Sequence, residues 1–119
     1  MSDRAMTGRD TILIVDDNER LADTLRSFVE ERGYAALTAH TGREGLRALR
    51  EHPVSLVLLD LLLPDIDGIT VMKEAQRIAP AVDIVIVTGH ATLASAVAAV
   101  EGGAAGYVLK PVDLSRLGA

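Results

Sequence analysis

The 119-residue chain has no cysteine and no tryptophan, and only one phenylalanine and two tyrosines. Without thiols it forms no disulfides, thiolate metal sites or cysteine nucleophile. It also lacks any apolar run near the roughly 18–20 residues of a membrane span, and no apolar segment follows the polar start Met1-Ser2-Asp3-Arg4 to act as a signal peptide. These absences predict a cytoplasmic protein with no membrane partner. An excess of basic residues is missing too: 12 Lys+Arg stand against 17 Asp+Glu, a net charge of −5. The basic residues are scattered, which argues against direct binding of nucleic acid. There is no internal repeat. The length fits one domain, large enough to bury about 65–70% of its unfolded surface without metal or disulfide staples.

What the chain does have is a set of short, continuous apolar runs that stop at polar residues. Leu56-Val57-Leu58-Leu59 leads straight into Asp60, with Pro64 closing the stretch. Such a run reads as a strand buried on both faces, as in a parallel sheet covered by helices, with Asp60 at its carboxyl end. Ile12-Leu13-Ile14-Val15 stops at Asp16-Asp17, Ile84-Val85-Ile86-Val87 at Thr88-Gly89-His90, and Tyr107-Val108-Leu109 at Lys110-Pro111. A weaker strand is expected over residues 34–39.

Between the strands lie helical patterns. Leu21, Ala22, Leu25, Phe28 and Val29 fall on one face, with Asp17 or Asn18 as the cap and Gly33 as the stop. Thr41 caps a second helix carrying Leu46 and Leu49, whose interior Gly45 costs about 1 kcal/mol of helix propensity. Asp67 caps a third, with Val71, Met72, Ala75 and Ile78 inward and Pro80 as its end. The alanine-rich segment 91–100 is expected to be a loosely held fourth helix, its inward stripe being Leu93, Ala96, Val97 and Val100. Residues 1–10 show no periodicity and read as a disordered tail. The order is β-α-β-α-β-α-β-α-β, an α/β class with a doubly wound parallel sheet.

In such a sheet all strand carboxyl ends share one edge, where ligands bind. Asp16, Asp17, Asp60, Thr88 and Lys110 are therefore predicted to meet in one pocket. Three neighbouring carboxylates repel one another and call for a hard divalent ion on oxygen ligands, with Mg2+ favoured and zinc disfavoured by the lack of His or Cys in the set. One carboxylate can then attack a phosphoryl group, with Lys110 and Thr88 completing the cradle, which is enough to form an aspartyl phosphate.

These features, in this order and spacing, resemble the receiver domain of two-component response regulators. The likeness rests on Asp16-Asp17, Asp60 followed by Pro64 and Asp67-Gly68, Thr88-Gly89, and Lys110-Pro111, and it spans residues 11 to about 113. It implies a flavodoxin-like five-stranded sheet of order 2-1-3-4-5. It also implies that Asp60 is the phosphoacceptor and that Mg2+ is held by Asp17, Asp60 and the backbone carbonyl of Leu62, with Asp16 acting largely through water. Lys110, with a cis bond to Pro111, would pair with the phosphoryl oxygens. Thr88 and Tyr107 would be the switch pair, and His90 a modulator of hydrolysis or a plain loop histidine; His40 and His52 are read as surface residues. The implied partners are a sensor histidine kinase or phosphotransfer protein, an effector domain outside this chain, and a second copy docked through the face of the fourth helix and fifth strand.

Two other function classes fit less well. A haloacid-dehalogenase-type phosphatase wants a second Asp two positions after the nucleophile, where this chain has Leu62. A dinucleotide-binding module needs a glycine-rich turn after the first strand, where Asp16-Asp17 would repel a pyrophosphate. A phosphorylation-independent pseudo-receiver is disfavoured because no site position is missing. The resemblance further implies a fifth helix of ten or more residues, whereas only residues 113–119 remain to form it. The expectation is thus a receiver domain over residues 11–119 that is truncated, or whose sheet face is covered by a neighbouring chain.

Overall fold

The computed structural model describes residues 10–111. Nine elements alternate: β1 (Thr11–Val15), α1 (Glu19–Glu31), β2 (Ala35–Ala39), α2 (Gly42–Glu51), β3 (Leu56–Leu59), α3 (Gly68–Ile78), β4 (Asp83–Thr88), α4 (Leu93–Glu101) and β5 (Gly106–Leu109). All pairings are parallel and the sheet order is β2-β1-β3-β4-β5, as the resemblance implied.

Because side chains alternate across a strand, each continuous apolar run supplies both faces of the sheet. Leu13, Val15, Val57, Leu59, Ile84 and Ile86 point to the side covered by α2, α3 and α4, where they meet Leu46, Leu49, Val71, Met72, Ala75 and Ala99. Ile12, Ile14, Leu58 and Val87 point to the other side and pack on Ala22, Leu25 and Val29 of α1. On that side Leu56, Val85 and Val108 stay only half-buried. Residues 113–119, all that remain for the expected fifth helix, lie outside the described residues, as does most of the expected N-terminal tail. Asp10 departs from the tail reading: it is buried, its carbonyl accepts from the Ala35 amide and its carboxylate accepts from the Ser55 hydroxyl at 3.0 Å.

The caps sit where the sequence placed them. Asn18, Thr41 and Asp67 each accept a backbone amide from the first turn of their helices, and Gly33 takes up the left-handed φ of 92° just beyond α1.

The inward face of α4 is a correction. Leu93, Val97 and Val100, expected to line the core, are 83%, 45% and 74% exposed, while Ala99 is fully buried. The cause is close approach at the other end of the helix. Gly102 lies against Met72 of α3, whose Cε would collide with an added Cβ, and Gln76 Nε2 donates to the Gly102 carbonyl at 2.7 Å. With Met72 filling the space, only the small side of the helix fits inward. A helix apolar on every side has no periodic signal to say which face that is.

Gly45, which weakens α2 by propensity, is explained by the same principle of close approach. A Cβ there would stand 2.9 Å from Val15 Cγ2 and 3.2 Å from its Cγ1, a branched side chain locked in the core. Gly45→Ala is therefore expected to destabilise the fold by about 1–3 kcal/mol in urea unfolding, the overpacking outweighing the gain in helix propensity.

Candidate functional site

The parallel register decides where the acids go. Val15 pairs with Leu59, so the next residue of each strand, Asp16 and Asp60, stands beside the other at the sheet's carboxyl edge. Asp16 and Asp60 are 2% and 4% exposed, whereas Asp17 is exposed, and carboxylate oxygens of all three lie within 4.8 Å of one another.

Lys110 follows β5, and its side chain reaches across β4 to the acids. Its ammonium donates to Asp16 Oδ2 at 2.8 Å and to Asp60 Oδ2 at 2.9 Å. The remaining oxygens are held by backbone: Asp16 Oδ1 accepts from the Asn18 amide at 2.9 Å and Asp60 Oδ1 from the Leu62 amide at 3.1 Å. Burial pushes the Asp16 carboxyl above its usual range despite the hydrogen bonds from Lys110 and Asn18. Burial acts to lower the Lys110 ammonium, but its bonds to Asp16 and Asp60 outweigh that and carry it upward. Three oxygen donors in one place, one carboxyl strained by desolvation, suit a hard divalent cation.

Gly68 sets the path of the loop after Asp60. An added Cβ would collide with Leu61 Cα and lie 2.8 Å from the Asp60 carbonyl, so the first turn of α3 presses directly on the backbone that carries the acid.

The other sequence-predicted residues take separate places. Thr88 is fully buried, its hydroxyl accepting from the His90 amide at 3.1 Å. His90 and His52 are exposed. The Tyr107 hydroxyl bonds Ser95 Oγ of α4 at 2.8 Å, within a capping box in which Thr92 and Ser95 exchange side-chain to backbone bonds. The Leu62 side chain is 53% exposed, and the Lys110–Pro111 bond is cis. His40 departs from the surface reading: it is half-buried and its Nδ1 bonds the Asp16 carbonyl at 3.0 Å. Sequence reasoning also missed Asp65, whose carboxylate accepts the Gly42 and Arg43 amides at 2.8 and 3.0 Å, and Ser95. Position 40 does follow a strand directly, the one signal that could have marked it.

This arrangement has known counterparts. The family profile of the response regulator receiver domain matches residues 12–119. The chain belongs to that family. Receiver domains are signalling modules rather than enzymes in the ordinary sense. Among its relatives, the transcriptional regulatory protein GlrR of Escherichia coli K12 is 37% identical over 106 residues, 89% of this chain and 24% of the relative. ZraR of Salmonella typhimurium, also a transcriptional regulatory protein, is 36% identical over 110 residues, 92% of this chain and 25% of its own length. The chain thus spans about a quarter of these relatives. A CheY-like receiver domain from Methanospirillum hungatei superposes with a TM-score of 0.89 at 34% identity, covering 92% of this chain and 87% of that one. A Burkholderia pseudomallei response regulator, solved with a phosphorylated aspartic acid, a calcium ion and citrate, superposes at 0.85 with 33% identity over 91% of this chain and 64% of that one.

Asp65 yields a pH test for this receiver domain. Desolvation opposes ionisation of its carboxyl, but the amides of Arg43 and Gly42 outweigh that and hold it below the ordinary carboxylate range. A carboxyl depressed by folding stabilises the protein above its unfolded pKa, and that contribution is lost as pH falls through the folded value. Asp65→Asn should cost only a few tenths of a kcal/mol at neutral pH, solvent screening an exposed carboxylate, with the gap to the unaltered protein closing below pH 3.8 in urea titrations.

Proposed function

We propose that this receiver domain takes a phosphoryl group onto Asp60 from the phosphohistidine of a sensor kinase or phosphotransfer protein, and passes the signal to an effector outside these residues. The observation that carries the proposal is the Lys110 ammonium bonded to both Asp16 and Asp60 with Asp17 alongside. An Asp60 oxygen attacks phosphorus in line, the phosphorus–nitrogen bond breaks, and the imidazole leaves with the electron pair. Lys110, released from Asp60 Oδ2, then turns its protons to the phosphoryl oxygens.

Magnesium would be held by Asp17, Asp60 and the Leu62 carbonyl, with Asp16 through water; when bound, it supplies neutralisation of the negative charge that gathers on transfer. The all-oxygen donor set fits it. The family's calcium-bearing relative makes Ca2+ the natural competitor in titrations.

For the output, the Thr88 hydroxyl leaves the His90 amide for the phosphoryl oxygens and Tyr107 turns into the space behind it. That turn breaks the Tyr107–Ser95 bond, so the change reaches the first turn of α4. His90 lies beside this path and is assigned a role in tuning hydrolysis. The outward Leu93, Val97 and Val100, with Leu109 57% exposed on β5, form the apolar face through which a second copy docks.

Incubation with Mg2+ and a small phosphodonor should give one acid-resistant, base-labile phosphoryl group per chain, absent in Asp60→Asn; a label that survives that substitution refutes the assignment. Beryllofluoride with Mg2+ should shift sedimentation toward dimer, and Val97→Glu should block the shift without preventing phosphorylation.

A further inference from the structure

The turn that opens α2 touches both loops that carry the acidic cluster. On one side it holds the loop after β1. The Asp16 amide donates to the Ala39 carbonyl at 2.9 Å, and the Asp16 carbonyl accepts from His40 Nδ1 at 3.0 Å. A carbonyl oxygen can only accept, so Nδ1 carries the proton in the neutral ring as well as in the cation. On the other side it holds the loop after β3. Asp65 takes the Gly42 and Arg43 amides, and the contact is tight enough that a Cβ on Gly42 would meet Val71 Cγ2 at 2.8 Å and Ile66 Cβ at 3.2 Å. His40 is itself fixed: its amide donates to Glu44 Oε1 at 2.8 Å, while the Glu44 amide donates to Thr41 Oγ1 at 3.1 Å.

Asp17 needs such support. Asp16 and Asp60 are each aimed by Lys110 and by a backbone amide. Among the described residues, no hydrogen bond or ion pair aims the exposed Asp17 carboxylate, so its direction follows from the peptide that joins it to Asp16. That peptide's oxygen is the one His40 holds.

We propose that His40 is a positioning residue for the divalent-ion site: by fixing the plane of the Asp16–Asp17 peptide it keeps the Asp17 carboxylate turned toward Asp60. The inference rests on reading the cluster as a Mg2+ site. Residues that support metal ligands from behind typically change metal affinity by one to two decades, and a support acting through backbone belongs at the low end. The work of His40 is done by one N–H at one place, so any side chain that puts a donor there should replace it.

Asparagine does so, its Nδ2 standing where Nδ1 stands, whereas phenylalanine keeps the ring and removes the donor. Calorimetric titration of the whole chain with MgCl2 should show the dissociation constant raised about tenfold in His40→Phe and unchanged in His40→Asn. If His40→Phe lowers the melting temperature yet binds Mg2+ as tightly as the unaltered protein, His40 serves only the fold and the proposal fails. It fails too if His40→Asn is as weak as His40→Phe. The imidazole nitrogen-15 spectrum of the unaltered protein gives a readout that needs no variant: Nδ1 should be the protonated nitrogen at neutral pH, its resonance moving with the Asp17 amide as Mg2+ is added. Protonation on Nε2 overturns the proposal. Should the unaltered protein show no Mg2+ binding that Asp60→Asn abolishes, the reading of the cluster itself falls, and this inference with it.

Discussion

One ammonium group shared between two buried carboxylates governs the rest of the molecule. Lys110 lies between Asp16 and Asp60, and each of these three groups would be costly to bury without the others. The sheet exists, in functional terms, to bring them together: they come from the ends of β1, β3 and β5, ninety-four positions apart at the extremes by their numbering. The pair-and-bridge arrangement is also incomplete as a charge balance, since Asp17 adds a third carboxylate to one cation. The surplus negative charge of three carboxylates against one ammonium thus gathers at the sheet's carboxyl edge.

The site is legible from sequence to an unusual degree because its residues sit at strand ends. A continuous run such as Ile12 to Val15 announces both a buried strand and the point where it stops, and in a parallel sheet every stopping point shares one edge. Asp16, Asp17, Asp60 and Lys110 could therefore be gathered without coordinates, whereas Thr88, expected with them, turns its hydroxyl to the His90 amide. The helix caps Asn18, Thr41 and Asp67 were legible for a similar reason, since a cap is a local device with local chemistry.

What stayed hidden depends on neighbours distant in the chain. His40 and Asp65 look like ordinary polar residues of loops; their roles come from the Asp16 carbonyl and the α2 amides, which only the fold brings near. Ser95 reads as a helix residue and proves to be the partner of Tyr107. The orientation of α4 failed for a different reason. Its alanine, valine and leucine content is apolar all round, so the face turned inward is chosen by Met72 and Gly102 rather than by any pattern within the helix.

The strand order bears on how the chain comes to be assembled. β1 is made first and β2 takes one of its sides; β3, β4 and β5 then each join the opposite, growing rim, so no strand has to be wedged between two already in place. A ribosome delivering the chain from its amino end could see the sheet laid down in the order of translation. The cation that reconciles Asp16 with Asp60 arrives only with β5, the last of the described strands, so the strands made before it carry their electrostatic debt until then.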